Sequence, residues 1–394
     1  MNIRDSRCTW KCTLSLAAAL CVMVGCKSAE KDAKSGDESV QNFQKSGAEN
    51  GANVTVEPGT TTGSGAEQSK GAEGANKVHL DRKDKEGALM VYSGRSKKIM
   101  EPLFKRFEAK TGTAIKVIYD KKTWALAERI AKEGKNTEAD VFLGQDPGYI
   151  GALAKKGHLV ALPKPILNMV SEEHRGDGGF WVGTSGRARV LVYNPDKIKA
   201  SDLPDTLDEL ASSQWKGKIG WAPSNASFQA HVSTLRKVWG EDKTADWLKR
   251  MSAQEPKVYP KNSPQVKGVA NGEIEIGWVN HYYLHRALAT NPELKAKNYS
   301  FRKSTDAGNL MMLSGVGITK HSQRKGAAIK LVNFLLSAEA QNHFAQKTFE
   351  YPTVDGIDLH PSVPAIEKGA LAGDKAALAD VQGTIKLLRG LNLL

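Results

Sequence analysis

Cysteine is nearly absent from this chain, and its placement excludes several kinds of chemistry. The chain has 394 residues, and its four cysteines all lie at or before Cys26. The rest of the chain can therefore form no internal disulfide, no thiolate nucleophile and no cysteine-based metal site. Any metal bound beyond Cys26 must be held by oxygen and nitrogen ligands.

Long apolar runs are absent as well, apart from one short run near the N-terminus. The run from Leu14 to Val24 is too short to span a bilayer. It follows a basic segment that contains Arg4, Arg7 and Lys11. A basic segment followed by a short apolar run predicts an export signal.

The end of this run, "VMVGC", resembles a bacterial lipobox, although Met23 stands where leucine is commoner. We predict a signal peptide over 1–25 and lipidation of Cys26; the alternative is an ordinary signal peptide cut elsewhere. Residues 26–86 are poor in bulky apolar side chains and rich in small and polar ones. Such a segment buries too little surface to offset its ordering entropy, so it is predicted to be a flexible tether.

Motifs of common enzyme classes are missing too. The sequence contains no GxSxG, HExxH or Walker loop, which disfavours an exported hydrolase or nucleotide-dependent enzyme. The formal net charge is +13, but the lysines are scattered and no basic run is interleaved with aromatic residues. We therefore predict neither an enzyme nor a nucleic-acid-binding protein.

Short apolar runs alternate with helical patterns in the body of the chain. "LMVY" is predicted to be a strand, and Ile99, Leu103 and Phe107 recur at helical spacing before Gly112. The alternation continues to "RKGAAIKLVNFLLSAEAQNHFAQ", which is predicted to be one long amphipathic helix. In "EIEIGWVN", Ile274, Ile276 and Trp278 are expected on one face of a strand. The pattern predicts an α/β fold with a parallel sheet.

Four junctions lead from a predicted strand into polar residues: "VYSGRS", "VFLGQD", "GWAPSNASF" and "GWVNHYY". Ligands of open α/β sheets bind outside the carboxyl ends of the strands. Each junction alone is weak evidence, but together they supply hydroxyls, amides and small residues suited to an anion at a helix N-terminus. They also supply two adjacent phenols.

Helical periodicity separates the two tyrosines. If a helix begins near Asn280, Leu284 and Leu288 mark its apolar face. Tyr282 then points roughly opposite that face and Tyr283 lies on its flank. This arrangement disfavours a core role for Tyr282 and leaves the role of Tyr283 open.

Phenols need a strong cation to act as ligands. Their ordinary pKa is about 10, so both are neutral unless a cation displaces the protons. A hard trivalent ion such as Fe³⁺ could do so, and zinc or calcium less effectively. The alternative is a pair of half-buried tyrosines that stack on an organic ligand.

These segments together resemble the ferric-ion-binding proteins of bacterial ABC importers, within the type II periplasmic-binding-protein superfamily. The resemblance runs from Val91 to about Thr353 and rests on "VYSGRSKK", "ADVFLGQD", "GTSGRARVLVYN", "WKGKIGWAPSNASF", "YPKNS", "NGEIEIGWVNHYY", "SGVGITKHSQRKGAAIKLVNFLLSAEAQ" and "EYP", in that order. It implies a monomeric α/β protein with a ligand cleft between two lobes. The implied lobes are 87–187 plus 312–365 and 188–311 plus 366–394.

The resemblance also implies a function and a set of ligands. It implies delivery of Fe³⁺ to a membrane permease and its ATPase, from a body in the cell envelope that is held by the lipid anchor. Tyr282 and Tyr283 match the paired tyrosinates of the family, which bind the ion with a synergistic anion such as carbonate or phosphate. The matching anion-binding positions are Ser224, Asn225, Ala226, Ser227, Asn262, Asn280 and Arg187.

The sequence departs from the family at three further positions. One branch of the family has a histidine and a glutamate where Ser96 and Gln145 stand here, and another has a third tyrosine in place of Phe228. The remaining ligands would then come from the anion, from water, or from Gln145, Asp146, Tyr92 and Ser96.

The departures keep other ligands open: a ferric chelate, or an organic solute such as an organic anion, phosphonate, thiamine-like compound or polyamine. A sensory binding module is a further alternative. His281 is expected to be structural, because it points nearer the apolar face of the helix, and His231 and His321 are read in the same way.

Overall fold

The computed structural model describes residues 87–120, 122–365, 371–372 and 380–394, with backbone alone at 371–372. The predicted signal peptide, Cys26 and the tether lie outside these ranges. The described residues belong to one compact unit, and the boundaries of the two lobes stay predictions. None of the helices in the described ranges has the length and apolar character needed to cross a bilayer.

The strands within the described residues number ten and join in one sheet. They are β1 (Leu89–Ser93), β2 (Ile115–Tyr119), β3 (Val141–Gly144), β4 (Val182–Tyr193), β5 (Ile219–Trp221), β6 (Lys257–Val258), β7 (Ile276–Asn280), β8 (Lys297–Tyr299), β9 (Leu310–Ile318) and β10 (Leu371–Ala372).

The α-helices are α1 (Lys97–Thr111), α2 (Thr123–Glu133), α3 (Pro147–Lys155), α4 (Lys164–Leu167), α5 (Ala226–Trp239), α6 (Glu241–Ala253), α7 (Asn262–Ala270), α8 (Tyr282–Leu288), α9 (Lys325–Leu335), α10 (Ala338–Asn342) and α11 (Val381–Gly390). As predicted, Gly112 ends the first helix. Its φ of 69° lies in the left-handed region, and its N–H donates to the Glu108 carbonyl.

The α/β class is confirmed, but the prediction of a parallel sheet is wrong. The sheet order is β2-β1-β3-β9-β4-β7-β5-β6, with β10 beside β9 and β8 beside β4. The β1–β2, β1–β3, β5–β6 and β5–β7 pairs are parallel. The central pairs β3–β9, β4–β9 and β4–β7 are antiparallel. Strand–helix alternation predicts parallel pairing only where a crossover helix joins neighbours, and the long strands β4 and β9 are not joined to their neighbours in this way.

Strand β4 is shared by two parts of the sheet. Its residues up to Ala188 pair with β9, and from Arg189 onward they pair with β7. We call the part built on β1, β2, β3 and β9 the first half, and the part built on β5, β6 and β7 the second half. The junction between Ala188 and Arg189 therefore lies where the chain passes from one half to the other.

Apolar clusters cover both faces of each half. In the first half, Val91 packs on one face with α1 and α9, and Tyr92 on the other with α2 and α3. In the second half, Ile276 and Trp278 share a cluster with α5 and α6. Ile274 packs in the opposite cluster, because β7 begins only at Ile276 and the strand alternation does not extend back to it. The expectation that all three share one face is therefore wrong.

The predicted long C-terminal helix is also interrupted. It forms α9 and α10, followed by a π-helical turn over His343–Lys347. Ser337 separates the two helices, and its hydroxyl accepts a hydrogen bond from the Ala340 N–H. A serine in this role ends one helix and starts the next, so the apolar period alone misses the break.

A buried ion pair links the loop after β1 to the segment that follows this turn. The Arg95 guanidinium lies 2.7 Å from Glu350 and is 2% exposed, with Glu350 1% exposed. The Ser185 hydroxyl also donates to Glu350, at 2.6 Å. Burial opposes ionisation of Glu350, but the charges of Arg95 and Arg187 outweigh it and hold its pKa below the ordinary value. Three chain segments therefore meet at one carboxylate beside the sheet junction.

Candidate functional site

Arg189 gathers side chains from three other elements. Arg189 is the first residue of β4 that pairs with β7, and it is 1% exposed. Its Nη1 atom donates to Ser227 Oγ at 3.3 Å, to Asn262 Oδ1 at 3.2 Å and to Asn280 Oδ1 at 3.1 Å. Its Nη2 atom donates to the Trp278 carbonyl at 3.0 Å. Three of the predicted anion-binding residues are thus held together by a guanidinium.

The N-terminus of α5 forms the adjoining part of the site. The Asn225 side chain caps this helix by accepting from the Ser227 N–H at 3.1 Å and from the Ser227 hydroxyl at 2.6 Å. Asn262 also donates to the Asn225 side chain, at 3.1 Å. Ser224 and Ala226, the two remaining residues predicted here, are exposed at the start of the helix. A helix N-terminus beside a guanidinium favours a bound anion.

Tyr282 and Tyr283 begin α8 and stack on each other. Their ring centroids are 4.4 Å apart with an interplanar angle of 30°. The Arg286 guanidinium lies over the Tyr282 ring, 4.4 Å from its centroid, and the His281 ring meets the same ring edge-on. The two phenols are therefore presented as one unit.

The phenols lie in a field of several arginines. Burial raises the pKa of Tyr283, and the neighbouring Tyr282 adds to this through its charge and a hydrogen bond. The charges of Arg286 and Arg187 act in the opposite direction. Burial lowers the pKa of Arg189 to about 9, and the charged forms of both tyrosines oppose this shift. Arg189 remains a cation at neutral pH and lies within electrostatic range of both phenols.

The expectation that Tyr282 points away from the core is wrong. Tyr282 is 6% exposed and belongs to an apolar cluster with Ala188 and Leu284, whereas Tyr283 is half-buried. The helix begins at Tyr282 and not near Asn280. Helical periodicity gives the wrong result here because Arg286 and His281 cover the Tyr282 ring on the side that the apolar pattern predicts to be exposed.

The first half contributes residues near Arg187. Arg187 is 3% exposed, and its guanidinium donates to the Gln145 carbonyl. With the Gln145 amide oriented to satisfy its partners, that side chain accepts from Arg187 Nη1 at 2.9 Å and donates to the Gly94 carbonyl at 3.2 Å. Burial raises the pKa of Asp146, and the charge of Arg187 opposes it. Arg187 is thus a common neighbour of Gln145, Asp146 and Tyr283.

Other predicted residues lie apart from this group. The Tyr92 hydroxyl is 3.4 Å from both carboxylate oxygens of Glu133, and the Arg129 guanidinium lies over its ring. Ser96 is exposed at the start of α1. Phe228 is 1% exposed and packs edge-on against Trp221 and Trp278. Its ring therefore belongs to the apolar cluster that Ile276 and Trp278 share with α5 and α6.

Two of the expected structural histidines are buried and hydrogen-bonded. His281 is 1% exposed and His231 is fully buried, and each ring donates to a main-chain carbonyl. Within the described ranges, histidine, aspartate and glutamate side chains form no group of three or more that could hold a metal ion.

Comparison with known sequences assigns the chain to a family. Residues 136–376 match the bacterial extracellular solute-binding proteins. The chain belongs to this family. It is a solute-binding protein and not an enzyme, as the sequence predicts.

Similar proteins of this family carry names that refer to iron. The chain is 33% identical to iron uptake protein A1 of Synechocystis over 74% of this chain and 82% of that protein. It is 33% identical to the major ferric iron-binding protein of Neisseria meningitidis over 69% of this chain and 84% of that one. The crystal structure of iron-bound HitA from Pseudomonas aeruginosa aligns with a TM-score of 0.71 at 30% identity, over 78% of this chain and 99% of HitA. The expected type II periplasmic-binding-protein fold is confirmed by this match.

Arg189 is the residue of this solute-binding protein that sequence reasoning missed. The signal was present in "SGRARV", because residues two apart on a strand lie on the same face. The family resemblance points to Arg187 there, and Arg189 points the same way from the same strand. Its importance follows from what surrounds it, since Ser227, Asn262 and Asn280 come from three distant segments.

We expect Arg189→Lys to lower the free energy of unfolding by about 2–4 kcal/mol, because one ammonium cannot serve all four acceptors that the guanidinium reaches. Urea unfolding measures the change. Arg250→Lys is the matched control: Arg250 pairs with Asp208 and Asp246 at the surface, and its loss costs about 0–1 kcal/mol. Equal effects of the two substitutions would contradict a central role for Arg189.

Proposed function

We propose that the protein binds Fe³⁺ through the phenolates of Tyr282 and Tyr283, together with a synergistic anion, and delivers the ion to the permease of an ABC importer. One observation carries the proposal. Two stacked phenols lie within electrostatic range of Arg187, Arg189 and Arg286. The iron-related names of the similar proteins support the choice of ion.

The arginines make double deprotonation feasible in this site. Burial keeps the Tyr283 phenol protonated in the absence of a metal. Nearby positive charge favours the ionised form of a phenol, and a trivalent cation adds a much larger stabilisation. The ion would therefore be bound as the two protons leave, and the three guanidiniums would compensate part of the charge that the phenolates add.

The anion would be held by Arg189 and the N-terminus of α5. Arg189 is buried, and the hydrogen bonds described for it all go to neutral groups: Ser227, Asn262, Asn280 and the Trp278 carbonyl. A buried cation without a bonded counter-ion favours an anion nearby. Carbonate and phosphate both fit this chemistry, and either could also supply oxygen ligands to the metal.

Two observations favour a ferric chelate or an organic solute as the alternative ligand. Phe228 is packed in the core, and the Tyr92 hydroxyl is occupied with Glu133. Neither position then supplies an oxygen ligand beside the paired phenols, and a chelator could supply the missing ones. Calorimetry with ferric citrate, citrate alone, thiamine, a phosphonate and spermidine would separate these cases. Heat from an iron-free solute, with none from ferric salts, would favour the organic ligand.

We further propose that the body is held at the membrane by a lipid on Cys26. The lipobox-like "VMVGC" supports this proposal. We expect Cys26→Ser to release the protein into the soluble fraction of cells, because the tether would lose its acyl anchor. Fractionation after labelling with a fatty-acid analogue measures the change. Label on the Cys26→Ser protein, or unchanged membrane association, would contradict the anchor.

Iron bound by phenolates should give the protein a visible colour. We expect the purified protein with ferric citrate and carbonate to show a visible absorption band from tyrosinate-to-iron charge transfer. Tyr282→Phe and Tyr283→Phe should each lose this band, because each removes one phenolate. The double variant should bind no iron. Tyr119→Phe, on β2 in the first half, is the control and should keep the band.

Full iron binding by the double variant would refute phenolate ligation. A band that persists unchanged in both single variants would do the same. Loss of the band in Tyr119→Phe would point to general damage and not to removal of a ligand.

We also expect the affinity for iron to decrease as the pH is lowered. Burial raises the pKa of Tyr283, so at neutral pH its proton must leave when the metal binds. With two phenols, the affinity should fall by up to roughly 100-fold for each unit by which the pH is lowered, since each displaced proton contributes a factor of ten. Competition with citrate between about pH 6 and pH 8, corrected for citrate protonation, measures the slope. Affinity that does not change with pH would contradict the proposal.

A further inference from the structure

His281 occupies the junction where the segments of the site meet. Its main-chain N–H donates to the Ala188 carbonyl at 3.0 Å. Its ring Nδ1 accepts from the Ala188 N–H at 3.1 Å, and its ring Nε2 lies 2.6 Å from the Phe349 carbonyl. The Asn298 amide of β8 donates to the His281 carbonyl at 2.9 Å. These four hydrogen bonds help to fix a residue that is 1% exposed.

These partners determine the tautomer of the ring. Because the Ala188 N–H is a donor, Nδ1 must be the unprotonated acceptor. Nε2 then carries the hydrogen and donates it to the Phe349 carbonyl. The ring therefore joins two main-chain segments with a defined direction, from Ala188 through the imidazole to Phe349.

Each segment bonded to His281 carries charged groups beside the junction of the two sheet halves. Ala188 lies between Arg187 and Arg189, at the point where β4 changes its partner strand. Phe349 precedes Glu350, the carboxylate that pairs with Arg95. Phe349 also has a φ of 59°, a left-handed conformation that costs free energy for a side chain of this size. The bond from His281 helps to hold this carbonyl in place.

Tyr282 follows His281 directly in the chain. The centroid of the His281 ring lies 5.7 Å from that of the Tyr282 ring, which it meets edge-on, and 4.7 Å from that of the Tyr351 ring. A shift of the imidazole would therefore move the start of α8 and both phenols with it. The bonds to Ala188 and Phe349 leave the imidazole no freedom to shift alone.

We propose that His281 is a positioning residue for the Tyr282–Tyr283 pair, acting as a strut that locks α8 to β4 and to the Phe349 segment without binding the ligand. This inference rests on the proposed function for its effect on iron. The strut itself is a property of the iron-free protein. Groups that orient metal ligands affect metal affinity even though they do not touch the ion.

The test compares three variants of the purified protein. We expect His281→Phe to weaken binding of iron, supplied as ferric citrate with carbonate, by roughly 10–100-fold and to shift the charge-transfer band without abolishing it. His281→Gln should restore most of the affinity, since a glutamine amide offers one acceptor and one donor with similar spacing. His343→Phe is the matched control.

His343 suits this role because it is a buried histidine whose ring bonds to the Ile99 carbonyl and Arg106, away from the tyrosines. Its substitution should lower stability without changing iron affinity or the band. If His281→Phe and His343→Phe lower stability similarly and both bind iron like the wild type, the proposal is overturned. Failure of His281→Gln to improve on His281→Phe would also overturn it.

Hydrogen exchange on the iron-free protein separates this proposal from the proposed function. We expect amides in 282–288 and at 188 to exchange faster in His281→Phe than in His343→Phe or the wild type. If the wild type binds no iron but this exchange pattern is seen, iron binding fails and the strut is supported. If exchange in 282–288 is unchanged in His281→Phe, the strut is refuted whatever the ligand.

Discussion

The site depends on the burial of one guanidinium. Removing Arg189 from water is costly, and the cost is tolerable only where neutral acceptors surround it in the right geometry. Ser227, Asn262 and Asn280 provide those acceptors from α5, α7 and β7. The same cation fixes how these elements approach each other and sets a positive potential at the carboxyl end of β7. Architecture and electrostatics of the site therefore have a common origin.

Strand β4 connects this arrangement to both halves of the sheet. One continuous strand carries Arg187 in the first half and Arg189 in the second, with Ala188 between them. The Glu350 carboxylate and the His281 ring hold neighbouring segments against this junction. A rotation of one half against the other would have to be absorbed within a few bonds of Arg187 and Arg189.

The sequence predicted the α/β class and most elements, because these follow from the local apolar period. Strand-end chemistry and the family resemblance together pointed to polar residues that the structure gathers around Arg189. Periodicity could not reveal the antiparallel pairs of β4 and β9, since pairing direction depends on long-range topology. It also could not place Tyr282, which is covered by Arg286 from its own helix. Arg189 was overlooked because a buried arginine is recognised only by acceptors that come from elsewhere in the chain. The roles of the phenols and of the anion-binding residues stay proposals.

On the proposed function, the phenyl ring of Phe228 affects how fast the ligands of the bound ion exchange. A hydroxyl at this position could bind an ion, whereas the ring of Phe228 packs edge-on against Trp221 and Trp278. On the proposed function, more of the coordination sphere is then left to exogenous molecules, which come and go faster than side chains anchored in a fold. A carrier of this kind would trade retention for easy transfer, with the surrounding medium setting how long its cargo stays bound.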